Sequence, residues 1–187
     1  MTIYILIGVI VLLAIFLISL VVKYNKFVRL RAAVNEAFAT MDVYLKRRYD
    51  LIPNLVAVVK QYGVYEQQTL AQVMEARNYA MSSVGGGTAN RVAGENNLSR
   101  ALRSLVAVAE NYPALKADGQ YINLQNELSR LENDIAMARK YYNAVLKNYN
   151  NGIQVFPSNL YAAIFGFKPY PYFEISVEER QNVRVQF

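Results

Sequence analysis

Residues 3–22 carry no charged side chain, and the stretch that follows holds Lys23, Lys26, Arg29 and Arg31 with no acid among them. About twenty consecutive apolar residues are enough for one helix to cross a bilayer. Whatever follows is therefore expected to be a body tethered at a membrane surface. A secretory leader fits poorly. No basic residue precedes the apolar core, the core is too long, and no small-x-small cleavage site follows it. The chain has no cysteine, which excludes a thiol-linked lipid anchor. Basic residues collect at the cytoplasmic end of a membrane helix. The short N-terminus is thus expected outside, with a single crossing at 3–22 and the body in the cytoplasm.

The formal net charge is +6, from 20 Lys and Arg against 14 Asp and Glu. Most of the excess lies before residue 61, where Lys23, Lys26, Arg29, Arg31, Lys46, Arg47, Arg48 and Lys60 face only Glu36, Asp42 and Asp50. A basic collar beside a membrane helix is attracted to anionic headgroups. The bilayer therefore accounts for this charge, and no nucleic-acid partner is expected.

The missing residue types bound the chemistry. With no histidine the chain lacks the commonest general base and metal ligand, and with no cysteine it lacks thiol chemistry. A carboxylate metal centre built from Glu36, Asp42, Glu75, Glu127 and Glu132 is the sharpest enzymatic idea. Di-iron bundles, however, combine glutamates with Glu-x-x-His pairs. Gly85-Gly86-Gly87 precedes no Lys-Ser/Thr pair, which a phosphate-cradling loop requires, and reads as a helix connection. Serine nucleophiles need an activating base within reach, and no pattern supplies one. No catalytic residue, cofactor or metal is expected.

The body reads as all-α. Phe27, Leu30, Val34, Phe38, Met41, Leu45, Tyr49 and Ile52 recur at steps of three and four, the spacing of one helix face turned to a core. The membrane helix is expected to run on into the body. Pro53 either kinks that helix or starts a new one with Asp50 as N-cap, and Gly63 is a second soft point. Leu70, Val73 and Met74 carry a second helix, and Val92, Leu98, Leu102, Leu105 and Ala109 a third. Asp118-Gly119 offers an N-cap to the last long helix, whose stripe runs through Leu124, Leu128, Leu131, Ile135, Tyr142, Val145, Tyr149 and Ile153. Its polar face holds Glu127, Arg130, Glu132, Arg139 and Lys140. The expected fold is an N-terminal transmembrane helix followed by an antiparallel four-helix-type bundle over 23–155. Residues 156–187 then give a short helix ended by Gly166 and an aromatic, proline-rich strap that buries its rings against the bundle. Its last residues alternate charge and apolarity.

Several phrases occur together and in order. They are Arg31-Ala-Ala-Val-Asn-Glu-Ala-Phe38, Met41-Asp-Val-Tyr-Leu-Lys-Arg-Arg-Tyr-Asp-Leu-Ile-Pro-Asn-Leu55, Tyr112-Pro-Ala-Leu-Lys-Ala117 and Leu124-Gln-Asn-Glu-Leu128. Shorter pieces are Tyr24-Asn25, Ala76-Arg77, Ala138-Arg139, Tyr149-Asn150, Phe156-Pro157, Gly166-Phe167 and Phe173-Glu174. Together they resemble the LemA family of membrane-anchored proteins over nearly the whole chain. The resemblance implies a bacterial inner-membrane protein with an outside N-terminus, one crossing and a cytoplasmic helical bundle. It implies no reaction. The family is similar to proteins that build membrane organelles, and its members occur near membrane metalloproteases in bacterial genomes. The Gln61-Tyr62-Gly63 order departs from the family's Lys-Gly-Tyr.

These readings point to a non-enzymatic scaffold or organiser that assembles with copies of itself at the cytoplasmic face. An adaptor or regulator of a membrane protease or envelope-stress pathway is the alternative, with a second membrane protein as its partner. Membrane remodelling by the basic collar is a third. Arg47, Arg48 and Asp50 form a candidate partner patch, unless the arginines satisfy acids on adjacent helices. Gly8, where a small residue permits close helix approach, and Phe27, Leu30, Val34 and Glu36 are candidate contacts between copies. The last four are expected to lie exposed below the bundle core.

Overall fold

The computed structural model describes residues 1–62, 67–85 and 88–173. Among them the regular secondary structure is all helix: α1 (Thr2–Gln61), α2 (Gln67–Ser82), α3 (Thr88–Ala109), α4 (Pro113–Lys116), α5 (Gly119–Gln154) and α6 (Ser158–Ile164), with a 3-10 turn at Ser83–Gly85. The chain forms two compact units. One combines Met1–Ala39 with Lys140–Tyr170, the other Thr40–Arg139 with Pro171–Phe187.

The second unit is a bundle of the C-terminal part of α1, α2, α3, α4 and the first part of α5. Short connections, the last of them carrying the one-turn α4, make the long helices α1, α2, α3 and α5 alternate in direction. The expected stripes face inward: Met41, Leu45 and Ile52 of α1, Leu70 and Val73 of α2, Leu98, Leu102 and Leu105 of α3, and Leu128, Leu131 and Ile135 of α5 are all buried. Leu115 of the short α4, which begins on Pro113, is buried as well. Helices α2 and α3 meet closely at Gly94. A Cβ there would lie 2.9 Å from Ser83 Oγ and 3.1 Å from the Ala80 Cα, so the missing side chain permits the approach. Asp118 caps α5, its carboxylate accepting the Tyr121 N–H at 2.8 Å and the Tyr62 hydroxyl at 2.6 Å. These bonds hold the Asp118 carboxyl below its ordinary value, the Tyr62 hydroxyl first and the backbone N–H next.

Pro53 does not end the first helix, which continues to Gln61. A proline inside a helix leaves the carbonyl four residues earlier without its donor. Here that carbonyl belongs to Tyr49, and Arg77 of α2 donates its Nε–H to it at 2.7 Å. A side chain from a neighbouring helix thus replaces the missing backbone bond. Gly63 lies outside the described residues.

In the other unit, the N-terminal part of α1 runs antiparallel to the end of α5. Phe38 stacks edge-on against Tyr142 with centroids 5.7 Å apart, and Leu30 reaches Gly152, where an added Cβ would sit 3.0 Å from Leu30 Cδ1. Phe27, Val34 and Ala37 are buried on one side, and Tyr142, Leu146, Tyr149 and Ile153 on the other. After α5 the chain turns through a cis Phe156–Pro157 bond into α6. Gly166, at φ +72°, ends α6 in a left-handed conformation. The Gly166 and Phe167 N–H groups return to the Ala163 and Ala162 carbonyls, a Schellman closure.

The strap then lies along α5. The Tyr149 hydroxyl donates to the Lys168 carbonyl at 2.9 Å, and Asn150 clamps the backbone of Tyr170 through both its amide atoms. Phe167 packs edge-on against Tyr24 and Phe27, with the Arg31 guanidinium 5.2 Å from its ring centre. In the second unit, Phe173 is fully buried and has the Arg139 guanidinium 4.9 Å from its ring centre. The strap beyond residue 173, with Glu178 and Glu179, lies outside the described residues.

Candidate functional site

The first surface to consider is the N-terminal part of α1. It is long and apolar enough to cross a membrane, and none of that window is buried within the chain. Side chains of this kind on a water-exposed helix would leave a large unscreened apolar area, which soluble proteins avoid. At its end Lys26, Arg29 and Arg31 are exposed, while Lys23 donates to the Ser158 hydroxyl at 3.0 Å. Gly8 faces open space: a side chain added there would meet nothing within 4 Å.

Three of the candidate contacts between copies are placed differently from expectation. Phe27 and Val34 are buried, and Leu30 is half-buried against Gly152. The chain's own α5 covers this stretch, because α5 is long enough to return along α1. Glu36 is exposed, as is Gly8.

The candidate partner patch divides in the same way. Arg47 and Asp50 are exposed; Asp50 pairs with Lys46 at 2.8 Å, and Arg47 lines an open groove of about 420 Å³ with Asn126, Glu127, Arg130 and Asp134. Arg48 is not a surface residue. Its side chain is 0% exposed and it pairs with Glu95, itself 0% exposed, and with Glu132 at 2.6 Å. It also donates to the Ser99 hydroxyl at 3.2 Å, while the Tyr49 hydroxyl donates to the second oxygen of Glu95. One turn away, the buried Arg91 pairs with Asp42. The cluster therefore joins α1, α3 and α5 in the interior of the second unit.

Burial opposes charge on Arg48, but the Glu132 and Glu95 carboxylates outweigh it and hold the guanidinium above its ordinary value. Burial, followed by the charge and hydrogen bond of Glu95, raises Tyr49 well above the usual phenol range. Both groups keep their neutral-pH state across any physiological condition. The pairing of Arg48 with two carboxylates makes the cluster an ionic core inside the second unit.

Glu95 and Arg91 are the members of this cluster that sequence reasoning misses, although they stand in phase with Leu98, Leu102 and Leu105 on one face of α3. An ionisable residue at a core position of the stripe is the available signal. Glu132 and Arg139 likewise depart from the expected solvated face, being engaged with Arg48 and Phe173. Among the described residues no three of His, Cys, Asp and Glu gather as metal ligands.

Beside the cluster, a groove of about 510 Å³ opens between α3 and α5, with Ser99 and Glu132 at one end and Leu102, Val106 and Leu128 along it. Arg103, Gln125 and Asn133 line it too.

The sequence is similar to proteins with non-enzyme names. Magnetosome protein MamQ 2 of Paramagnetospirillum magneticum is 26% identical over 184 residues, covering 85% of this chain and 67% of the relative. Magnetosome protein MamQ of Magnetospirillum gryphiswaldense is 24% identical over 182 residues, covering 84% and 67%. Protein LemA of Metamycoplasma hominis is 23% identical over 171 residues, covering 91% and 78%. The sequence profile of the LemA family matches residues 37–187, a span that takes in the ionic cluster, the two grooves described above and the strap. The chain belongs to the LemA family.

Proposed function

We propose that this chain is a non-enzymatic, single-pass membrane protein that assembles with copies of itself and organises the cytoplasmic membrane face. The observation that carries this reading is the uncovered, uncharged N-terminal part of α1 followed by exposed basic side chains. Such a segment needs lipid around it, and its basic end belongs on the cytoplasmic side. The described polar clusters support the same view. The buried Arg48 is engaged by two carboxylates of its own chain, as a structural ion pair would be. Relatives named magnetosome protein and LemA support membrane association.

Self-assembly is proposed at the membrane helix, with Gly8 as the point of close approach, since Phe27 and Val34 are engaged within the chain. Full-length protein extracted in mild detergent should run as a defined homo-oligomer, and Gly8→Leu should shift it toward monomer. A reporter active only in the cytoplasm should function when fused after Phe187. A monomer in mild detergents and in cross-linked native membranes would overturn the scaffold. The groove between α3 and α5 favours a second reading, an adaptor that seats a partner's side chains there.

A further inference from the structure

The segment after α5 has an inverted polarity. No charged residue occurs between Lys147 and Lys168. Helix α6 turns Ser158 and Ala162 inward, both buried, and leaves Leu160 and Ile164 outward at 56% and 67% exposure. Phe156, just before it, is 76% exposed. A helix lying on a water-soluble body shows the opposite arrangement, with polar side chains outside. Here the Ser158 hydroxyl points in, and the exposed side chains Leu160, Ala163 and Ile164 are hydrocarbon, with Asn159 the one exposed polar residue of the helix.

The position of α6 says what covers that hydrocarbon. The Tyr161 hydroxyl shares a hydrogen bond of 3.1 Å with Ser19, and its ring lies 6.3 Å from that of Phe16. Ser158 accepts from Lys23, and Phe165 stacks edge-on against Tyr24 at 5.0 Å. The segment is thus fastened to the last turns of the apolar stretch of α1. From Lys23 to Phe16 is about 10 Å along a helix rising 1.5 Å per residue. Interfacial helices bury their apolar face by roughly 5–10 Å, between headgroups and acyl chains.

We propose that residues 155–165 form a second membrane element, a wedge that lies in the lipid interface beside the membrane helix with Phe156, Leu160 and Ile164 in the acyl region. This rests on the reading of residues 3–22 as a membrane span. Lys23 and Lys168 sit at its two sides in the sequence and contacts, where headgroup phosphates would meet them. The span alone would leave α1 free to rotate about its own axis in the bilayer. A wedge attached to one side of it fixes which face of the chain looks along the membrane.

The chain contains no tryptophan, so one introduced residue reports alone. Full-length Ile164→Trp, Leu160→Trp and Val9→Trp proteins are reconstituted in phosphatidylcholine–phosphatidylglycerol vesicles, with and without bromine on the acyl chains just below the headgroups or near their ends. The two α6 probes should show blue-shifted emission and lose most of it to the shallow bromines. Val9→Trp should be quenched by the deep ones. If Val9→Trp is quenched and both α6 probes are not, the wedge is wrong and the span stands. If no probe is quenched, the span reading fails and the wedge with it. Blue-shifted but unquenched α6 probes would show a second copy covering the surface and would also overturn the proposal.

Discussion

Replacing Arg48 by methionine isolates the contribution of the ionic core. Its side chain has no exposure, and neither does that of its partner Glu95, whereas Glu132 is 39% exposed. The variant leaves the Glu95 carboxylate in the interior with the Tyr49 hydroxyl as its only partner from this cluster. Removing one member of a buried pair costs about 3–5 kcal/mol, because the remaining charge is uncompensated. Glu132→Gln should cost no more than about 1 kcal/mol, since water already screens that carboxylate. Arg48→Met with Glu95→Leu removes both charges and should recover most of the loss. What remains is the unpaired Tyr49 hydroxyl, a penalty of about 1–3 kcal/mol, which adding Tyr49→Phe should relieve. The measurement is unfolding of the full-length protein in mild detergent, followed by circular dichroism. Strong non-additivity between the two sites is the signature. A double variant that loses the sum of the two single losses would refute the reasoning.

Four further outcomes follow from the geometry. Arg77→Met should cost about 1–3 kcal/mol by stranding the Tyr49 carbonyl opposite Pro53, and Arg77→Met combined with Pro53→Ala should be partly restored in the same unfolding assay. Gly94→Ala should destabilise by about 1–3 kcal/mol, because its new methyl meets Ser83 and the Ala80 backbone; no change in melting temperature would show that α2 and α3 separate freely. Leu128→Ala should lose about 2–5 kcal/mol, and an unchanged melting temperature would remove that stripe from the core. Asp118→Asn should lower the melting temperature near neutral pH. The native carboxyl is held below 3.8, so its contribution is present above that pH and fades as pH falls through the lowered value. The two proteins should converge in acid, and a constant difference would exclude the charge as the cause.

The helices were legible because their stripes are regular. Leu45, Ile52, Leu98, Leu105, Leu128 and Ile135 were all placed on core faces by spacing alone, and all are buried. Asp118 was legible as a cap for a local reason, since the capping bond spans three residues. Arg48 was harder. Spacing puts it in phase with Leu45 and Ile52, but only the fold brings Glu95 within reach from 47 residues away. The fate of Pro53 was hidden similarly, because its compensation comes from Arg77 on another helix. Phe27 and Val34 were legible as apolar and periodic. Their cover, however, comes from the far end of α5, and the length of that return is a tertiary fact.

The order of charge within the second unit has a consequence for alignment. Along α1 an acid, Asp42, precedes a base, Arg48; along α3 a base, Arg91, precedes an acid, Glu95. The two helices run in the same direction at these pairs, so each charge meets its opposite. If α3 slid by one turn, Arg91 would come level with Arg48, and two guanidinium groups would share a site without water. Leucine and valine layers would tolerate that slip, since one apolar side chain fills another's place with modest loss. Charge does not tolerate it. The ionic core therefore acts as a ratchet stop that admits one alignment, and leaves the surrounding hydrocarbon only the task of filling space.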